Sequence, residues 1–275
     1  PKTATVGSAL PDEVIRHART DHVLASFIDN VWSEVGRCAA CHSPEKNQQQ
    51  VKKFGERVSW IKPGNPQATL KHLVDSGIID TDKPESSLLL TKPTIQVEHG
   101  GGQKAMVGDR TYKQFRRFID DYAAIVKGSY KQVSELPKES AEVSAVSELW
   151  LKIEGVPKSF DKQLLRADVY AKSNVGGLET RVATGDRAVF GGGNLWQQHL
   201  TLLAPRGSVR AKELSQAQRL PRGRYVVRIS IDQNSKLAKN PFAELDAKDI
   251  IGEVEVDAAW NAGYGSMTVV RFPAK

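Results

Sequence analysis

The two cysteines of the chain and one of its six histidines lie within five consecutive residues, Cys38-Ala39-Ala40-Cys41-His42. On a helix, one turn separates the two thiols, so both can form thioethers with the same porphyrin. The imidazole that follows is then placed at the iron as its proximal ligand. This spacing is the attachment pattern of c-type haem. The sequence therefore predicts one covalent haem c, held by Cys38, Cys41 and His42.

Other uses of a closely spaced cysteine pair fit the sequence less well. A disulfide across two residues would close a very short loop and stabilise the fold little. A structural zinc site needs about four Cys or His ligands, and no second Cys/His pair is present. A thioredoxin-type redox pair belongs to a βαβ context, which the flanking sequence does not have. Haem attachment is the chemistry that remains.

A second iron ligand would be another histidine or a methionine. His99 is followed by three glycines, and residues without Cβ let the backbone pass close to a flat cofactor. Met106, a few residues farther along, is the alternative. We favour His99 over Met106, and the sequence leaves open a five-coordinate iron with no second protein ligand. The remaining histidines are expected at the surface: His17, His22, His72 and His199.

Apolar residues at helical spacing predict three helices in the first half of the chain. The first has Phe27, Val31 and Val35 on one face and leads directly into the cysteine motif. The second begins near Pro66, and the third covers about residues 109–126. Loops rich in Pro and Gly separate them. This half of the chain is therefore expected to be mainly helical.

The second half is typical of β-structure. Short runs of β-branched and aromatic residues alternate with turn-forming residues. Seven strands are expected, at residues 149–153, 168–171, 188–190, 195–203, 225–231, 250–256 and 267–272. With little helix among them, they indicate an antiparallel β-sandwich. The expected domains are a helical haem-carrying domain at 1–130, a linker at 131–145 and a β-sandwich docking domain at 146–275.

Residues 30–125 resemble the planctomycete-type cytochrome c domains. The resemblance rests on the cysteine motif and on shorter matches, which are Pro63-Gly64-Asn65-Pro66, Pro84-Glu85-Ser86-Ser87-Leu88-Leu89-Leu90, Lys92-Pro93, His99-Gly100-Gly101-Gly102, and Tyr112 with Phe118-Ile119. Only the cysteine motif is highly specific, and that family commonly has Trp-Ile in place of Phe118-Ile119. The resemblance implies an exported monohaem cytochrome, and it favours His99, which matches the family's His-Gly-Gly element. The fold class expected is thus α+β, with a mainly helical cytochrome c-like domain before the antiparallel β-sandwich.

Composition limits the partners of the chain. The 39 Lys and Arg residues exceed the 32 Asp and Glu residues, and this net charge of +7 is spread evenly along the sequence. No basic block or basic stripe with interleaved aromatic residues occurs, so no nucleic-acid partner is expected. No apolar run is long enough for a transmembrane segment. Residues 1–11 lack the apolar core of a signal peptide, so we expect a trimmed, exported chain in the periplasm or outside the cell.

These features predict single-electron transfer between redox partner proteins outside the cytoplasm, within a larger assembly. An iron with two side-chain ligands has no site for substrate, which favours electron transfer over catalysis, and no catalytic residue is assigned. Two alternatives stay open: a five-coordinate haem enzyme such as a peroxidase, and a structural or carbohydrate-binding protein with an accessory haem domain.

Trp150, Trp196 and Trp260 could stack on sugars, but core positions are expected for them. Trp60 and Arg57 are candidates to bond a haem propionate.

Overall fold

A computed structural model of the chain describes residues 12–45, 47–172, 178–192 and 194–273. The prediction that residues 1–11 contain no signal peptide lies outside the described residues. The helices are α1 (Asp12–Asn30), α2 (Gly36–His42), α3 (Gln48–Phe54), α4 (Pro66–Asp75), α5 (Leu88–Thr91), α6 (Arg110–Val126), α7 (Val209–Gln216) and α8 (Lys236–Lys239). The strands are β1 (Glu142–Glu154), β2 (Leu164–Lys172), β3 (Leu178–Ala188), β4 (Leu195–Pro205), β5 (Gly223–Ile231), β6 (Ile250–Ala258) and β7 (Thr268–Arg271). Among the helices in these residues, none has the length and apolar character that a membrane span requires.

The apolar stripe of the first predicted helix is buried in the core of the helical half. Phe27, Val31 and Val35 lie in this core as expected from their spacing. The helix ends earlier than predicted, because α1 ends at Asn30 and a 3₁₀ turn, Trp32–Glu34, leads into α2. The buried stripe thus continues through a break in the helix and fixes the position of the cysteine motif.

Polar caps determine where α4 and α6 begin. The Asn65 side chain accepts a hydrogen bond from the Ala68 N–H at 2.9 Å, with Pro66 in the first turn. The Asp109 side chain accepts one from the Tyr112 N–H at 2.7 Å. Each cap satisfies a backbone donor that a helix start leaves unpaired. The predicted starts near residues 66 and 109 are confirmed.

The seven strands form one mixed sheet, in the order β6-β5-β2-β3-β4-β1-β7. Neighbouring strands are antiparallel except β1 and β7, which are parallel. The predicted fold class, a mainly helical cytochrome c-like domain followed by an antiparallel β-sandwich, is therefore wrong. A sandwich needs two facing sheets, whereas this single sheet curls into a nearly closed form. Its edges approach each other where Gly252 of β6 lies against Pro273, which follows β7.

The curled sheet encloses its own apolar core. Along β2, Leu165, Ala167 and Val169 point into this core, while Arg166 and Asp168 point to the outer face. Arg166 and Asp168 are also buried, and α6 lies over this part of the face, because its Arg110 N–H bonds to Asp186, the partner of Arg166. Two further predictions need correction: the run at 188–190 is not a separate strand, and β1 begins within the linker expected at 131–145.

The start of α2 lies directly against the sheet. A Cβ atom added to Gly36 would lie 2.8 Å from Cγ1 of Val146 and 2.9 Å from Nε2 of His199. The N–H of Arg110, at the start of α6, donates to Oδ2 of Asp186 in β3 at 2.9 Å. These contacts join the cysteine helix and the sheet through glycine and buried polar groups rather than through a shared apolar core.

Candidate functional site

The helix α2 contains the whole cysteine motif. Residues three apart on a helix lie on the same face, so Cys38 and Cys41 point to one side. Both are free, partly buried thiols, and Cys38 packs against the apolar core of the helical half. Burial raises the pKa of the Cys38 thiol to about 11. This thiol is therefore protonated at neutral pH, unlike a reactive or metal-binding thiolate.

The ring of His42 is held in one orientation by the backbone. Its Nδ1 lies 2.7 Å from the carbonyl oxygen of Val58. When Nδ1–H donates this bond, Nε2 carries no proton and is available to a metal ion. Burial lowers the pKa of His42, which favours the neutral imidazole that binds metals. The buried Trp60 ring lies 5.4 Å from the His42 ring and covers it from one side.

His99 lies in the loop between α5 and α6 and is held in a similar way. Its Nδ1 lies 2.9 Å from the carbonyl oxygen of Gly102, whose N–H donates to the His99 carbonyl, also at 2.9 Å. Gly102 has a φ of +69°, a conformation that favours glycine. A Cβ atom at Gly101 would lie 3.2 Å from Cε1 and 3.4 Å from Nε2 of His99. The glycines thus form a tight turn that orients the ring and leaves space beside its Nε2.

The structure brings His42 and His99 together. Their ring planes are inclined by only 2°, and the ring centres are 6.1 Å apart. Two imidazoles bound on opposite sides of one metal ion would have centres about 6.3 Å apart, from about 2.0 Å for each metal–nitrogen bond and about 1.15 Å from nitrogen to ring centre. The observed distance between the ring centres is close to this value.

Met106, the alternative second ligand, lies in the segment before α6. Its N–H donates to Oδ2 of Asp109 at 2.6 Å, so its backbone belongs to the capping turn of that helix. The ring found parallel to His42 is that of His99. The choice of His99 over Met106 as the second ligand stays a prediction. Of the two propionate candidates, Trp60 is buried beside His42, whereas Arg57 is exposed.

The prediction that the other histidines lie at the surface is wrong for two of them. His22 is mostly buried, and its Nε2 lies 2.7 Å from Oδ2 of Asp121. His199 is buried in the sheet with its ring edge-on to Trp150. His17 is exposed, as predicted. His22 thus pairs with Asp121, and His199 packs against Trp150 beside the start of α2.

Two buried hydroxyl groups belong to residues next to His42 and next to Val58. Ser43 follows His42 directly, and Ser59 follows Val58, whose carbonyl holds the His42 ring. Both hydroxyls are buried, and neither has a hydrogen-bond partner within the described part of the chain. A buried polar group without a partner costs about 1–3 kcal/mol. A haem bound against His42 would be one source of the missing partners.

The two imidazoles of His42 and His99 are enough side-chain ligands for a haem iron, but too few for a bare metal ion. Over residues 12–45, 47–172, 178–192 and 194–273, no three His, Cys, Asp or Glu side chains converge as ligands. A bare zinc ion in a protein takes about three or four such ligands. A porphyrin supplies the in-plane nitrogens itself, so two imidazoles complete the coordination of its iron.

Comparison with known proteins adds no relative. No protein-family model matches this chain, and no curated protein was found to be similar to it. The resemblance to the planctomycete-type cytochrome c domains therefore rests on the short motifs alone and stays a prediction.

Several groups at the site carry no signal in the sequence. The Val58 carbonyl orients His42, but a backbone carbonyl depends on the path of the chain and not on the residue type. The same holds for Ser43 and Ser59, whose burial follows from the fold around α2. The glycine run after His99 was a usable signal, because glycine favours positive φ, and Gly102 has a φ of +69°.

Proposed function

We propose that this chain carries one haem c, attached through Cys38 and Cys41, and that it transfers single electrons between redox partner proteins. His42 and His99 are the proposed iron ligands. The observation that carries the proposal is the parallel pair of imidazoles beside the cysteine motif, 6.1 Å apart. Each ring is oriented by a backbone carbonyl that leaves Nε2 free.

The residues of the site have separate tasks in this proposal. Cys38 and Cys41, on one face of α2, hold the porphyrin by thioethers. The carbonyls of Val58 and Gly102 keep the two histidine rings in the tautomer that binds a metal. When bound, haem supplies an iron that alternates between the ferric and ferrous states and so carries one electron. Because the backbone fixes both rings, the ligands are in place without rearrangement.

The geometry favours electron transfer over the two alternatives. Two side-chain ligands leave no open position at the iron for a substrate, in contrast to a five-coordinate peroxidase. Sugar stacking requires exposed ring faces, but Trp196 and Trp260 are buried in the sheet. Trp150 packs edge-on against His199 and Tyr264. Trp196 and Trp260 thus occupy core positions, as expected, whereas Trp150 is only partly buried.

The place of action follows from the attachment chemistry. Covalent haem attachment normally takes place outside the cytoplasm, so we propose the periplasm or the cell exterior as the location. The sheet is then the part of the chain that docks to a redox partner or to a larger extracytoplasmic assembly. Its tight contact with α2 at Gly36 would keep the haem helix at a fixed distance from such a partner.

Intact-mass measurement tests the proposal directly. We expect chain produced with a c-type maturation system to gain the mass of one haem, which stays attached after denaturation. The double variant Cys38→Ser, Cys41→Ser should lack this increment. Ser140→Ala, an exposed serine remote from the motif, is the control and should keep the haem. A wild-type chain with the bare sequence mass and two alkylatable thiols would contradict the proposal.

A further inference from the structure

A polar cleft of about 200 Å³ lies where α6 faces the outer side of the sheet. A single water molecule needs about 10–15 Å³ of such space, so the cleft has room for a small anion. The cationic side chains that line it are Arg110, Lys113, Arg117, Arg166 and Arg181. The carboxylates that line it are Glu142 and Glu244. Its lining is therefore mainly cationic.

Two of these cations are buried, while the carboxylate that they share is exposed. The side chains of Lys113 and Arg166 are 4% and 11% exposed, against 60% for Glu244. Oε1 of Glu244 accepts a hydrogen bond from Nζ of Lys113 at 3.0 Å. Its Oε2 accepts one from Nη1 of Arg166 at 3.3 Å. The carboxylate thus bridges a helix cation and a sheet cation, in the way that a bound oxyanion would.

The cations also pair with buried carboxylates other than Glu244: Arg110 with Glu34, Arg166 with Asp186 and Arg181 with Asp168. Asp186 is a buried residue of β3 that accepts from Nη2 of Arg166 at 3.2 Å and from the N–H of Arg110 at 2.9 Å. Glu244 lies in the irregular segment between α8 and β6. It can leave the two cations without breaking any strand pairing. Glu244 is therefore the exchangeable anion of this cleft.

We propose that the cleft binds a small oxyanion with two or more negative charges, which replaces the Glu244 carboxylate between Lys113 and Arg166. Arg117, one turn along α6 from Lys113, provides a further donor. Its Nη1 donates to the neutral side chain of Gln114 at 2.8 Å, and no carboxylate of the described residues forms an ion pair with it. Guanidinium groups bind carboxylates and phosphates through paired N–H donors. This site is separate from the haem site and does not depend on it.

Calorimetric titration of the full chain with inorganic phosphate and with malonate, at low ionic strength, tests the site. Glu244→Gln removes the competing charge. Whichever of the two anions binds should therefore bind this variant about tenfold more tightly than it binds the wild-type chain, which is equivalent to one charge-assisted hydrogen bond. Arg117→Gln should weaken binding by about threefold to tenfold. The matched control is Glu253→Gln, because Glu253 pairs with Arg228 at 2.7 Å on the same sheet, away from the cleft. It should leave the affinity unchanged.

The result for Glu244→Gln decides the proposal. If this variant binds neither anion, or binds them no tighter than the wild-type chain does, the proposal is overturned. Thermal unfolding without added anion shows whether the variant folds. If it does not, Glu244→Asp takes its place, because the shorter side chain withdraws the carboxylate from both cations. Tighter binding by Glu244→Asp supports the site, and unchanged affinity overturns it.

Discussion

The imidazole planes of His42 and His99 are parallel within 2° with their centres 6.1 Å apart, although one residue belongs to α2 and the other to the loop before α6. Each Nδ1 is bonded to a backbone carbonyl, of Val58 and Gly102 respectively. These bonds fix the rotation of each ring from its own side. The chain itself therefore sets the orientation of both rings. In the haem-bound protein that we propose, variants of one ring should affect the iron without disturbing the other.

Replacing His99 with alanine is expected to convert the ferric iron from low spin to high spin, since one axial ligand is lost. Met106→Ala should keep the low-spin spectrum of the wild-type chain. Absorption and resonance Raman spectra measure both outcomes, with the exposed His17→Ala as the control. A low-spin His99→Ala together with a high-spin Met106→Ala would transfer the ligand role to the methionine.

Gly101→Ala is expected to weaken the bond between His99 and the iron. The new methyl group would lie 3.2 Å from Cε1 and 3.4 Å from Nε2 of His99, so the ring must move to relieve the contact. The rate at which cyanide replaces His99 on the ferric iron should rise about tenfold, equivalent to about 1.4 kcal/mol. Stopped-flow absorption measures this rate. Gly100→Ala is the matched control, because its methyl group would have no neighbour within 4 Å, and an equal rate in both variants would count against the effect.

The parts of the structure that could be predicted are those with local causes. The cysteine motif is a spacing within one helical turn, and the capped start of α6 depends on Asp109 and the first turn alone. The burial of Phe27 and Val31 follows from helical periodicity. His99 was singled out because three glycines follow it. None of these inferences needs knowledge of distant parts of the chain.

The arrangement of the sheet has no such local cause. β1 pairs with β4 on one side and with β7 on the other, and the sequence pattern of a strand does not specify its neighbours. The alternation around Arg166 and Asp168 predicts a polar face, but not whether solvent or another part of the chain covers it. Here α6 lies over this part of the face. The unspecified strand neighbours explain why the prediction of a β-sandwich was wrong. The covered polar face explains why His199 was expected at the surface.

Gly36→Ala is expected to lower the free energy of unfolding by about 1–2 kcal/mol. The added methyl group would lie 2.8 Å from Val146 and 2.9 Å from His199, and such overpacking costs about 1–3 kcal/mol. The better helix propensity of alanine offsets about 1 kcal/mol at most. Urea denaturation measures the change, with Gly265→Ala as the control because its methyl group would meet no atom within 4 Å.

A double-mutant cycle separates this steric contact from a general effect on α2. In a His199→Ala background one of the two close contacts is absent, so the cost of Gly36→Ala should fall by about 0.5–1 kcal/mol. An equal cost in both backgrounds would show that His199 does not limit the space at Gly36.

Acid is expected to destabilise the folded chain through His199. Burial in the sheet lowers the pKa of this imidazole from 6.5 to about 4, and the charges of Arg37 and Arg187 add to the effect. The unfolded chain therefore binds more protons than the folded chain as the pH falls from 6.5 towards 4. The stability that the neutral imidazole retains above pH 6.5 is lost over this window, by about 3 kcal/mol in total.

The variant His199→Gln isolates the contribution of His199 to the pH dependence of stability, because glutamine does not titrate. The difference in free energy of unfolding between His199→Gln and the wild-type chain should shift by about 3 kcal/mol in favour of the variant from pH 7 to pH 4. Taking the difference removes the contribution to the free energy of unfolding from carboxylates that titrate over the same pH range in both proteins. Urea denaturation at the two pH values provides the measurement, and His17→Gln, at an exposed position of α1, should follow the wild-type curve. A difference that does not change with pH would mean that the imidazole of His199 can take up its proton in the folded chain as readily as in the unfolded one.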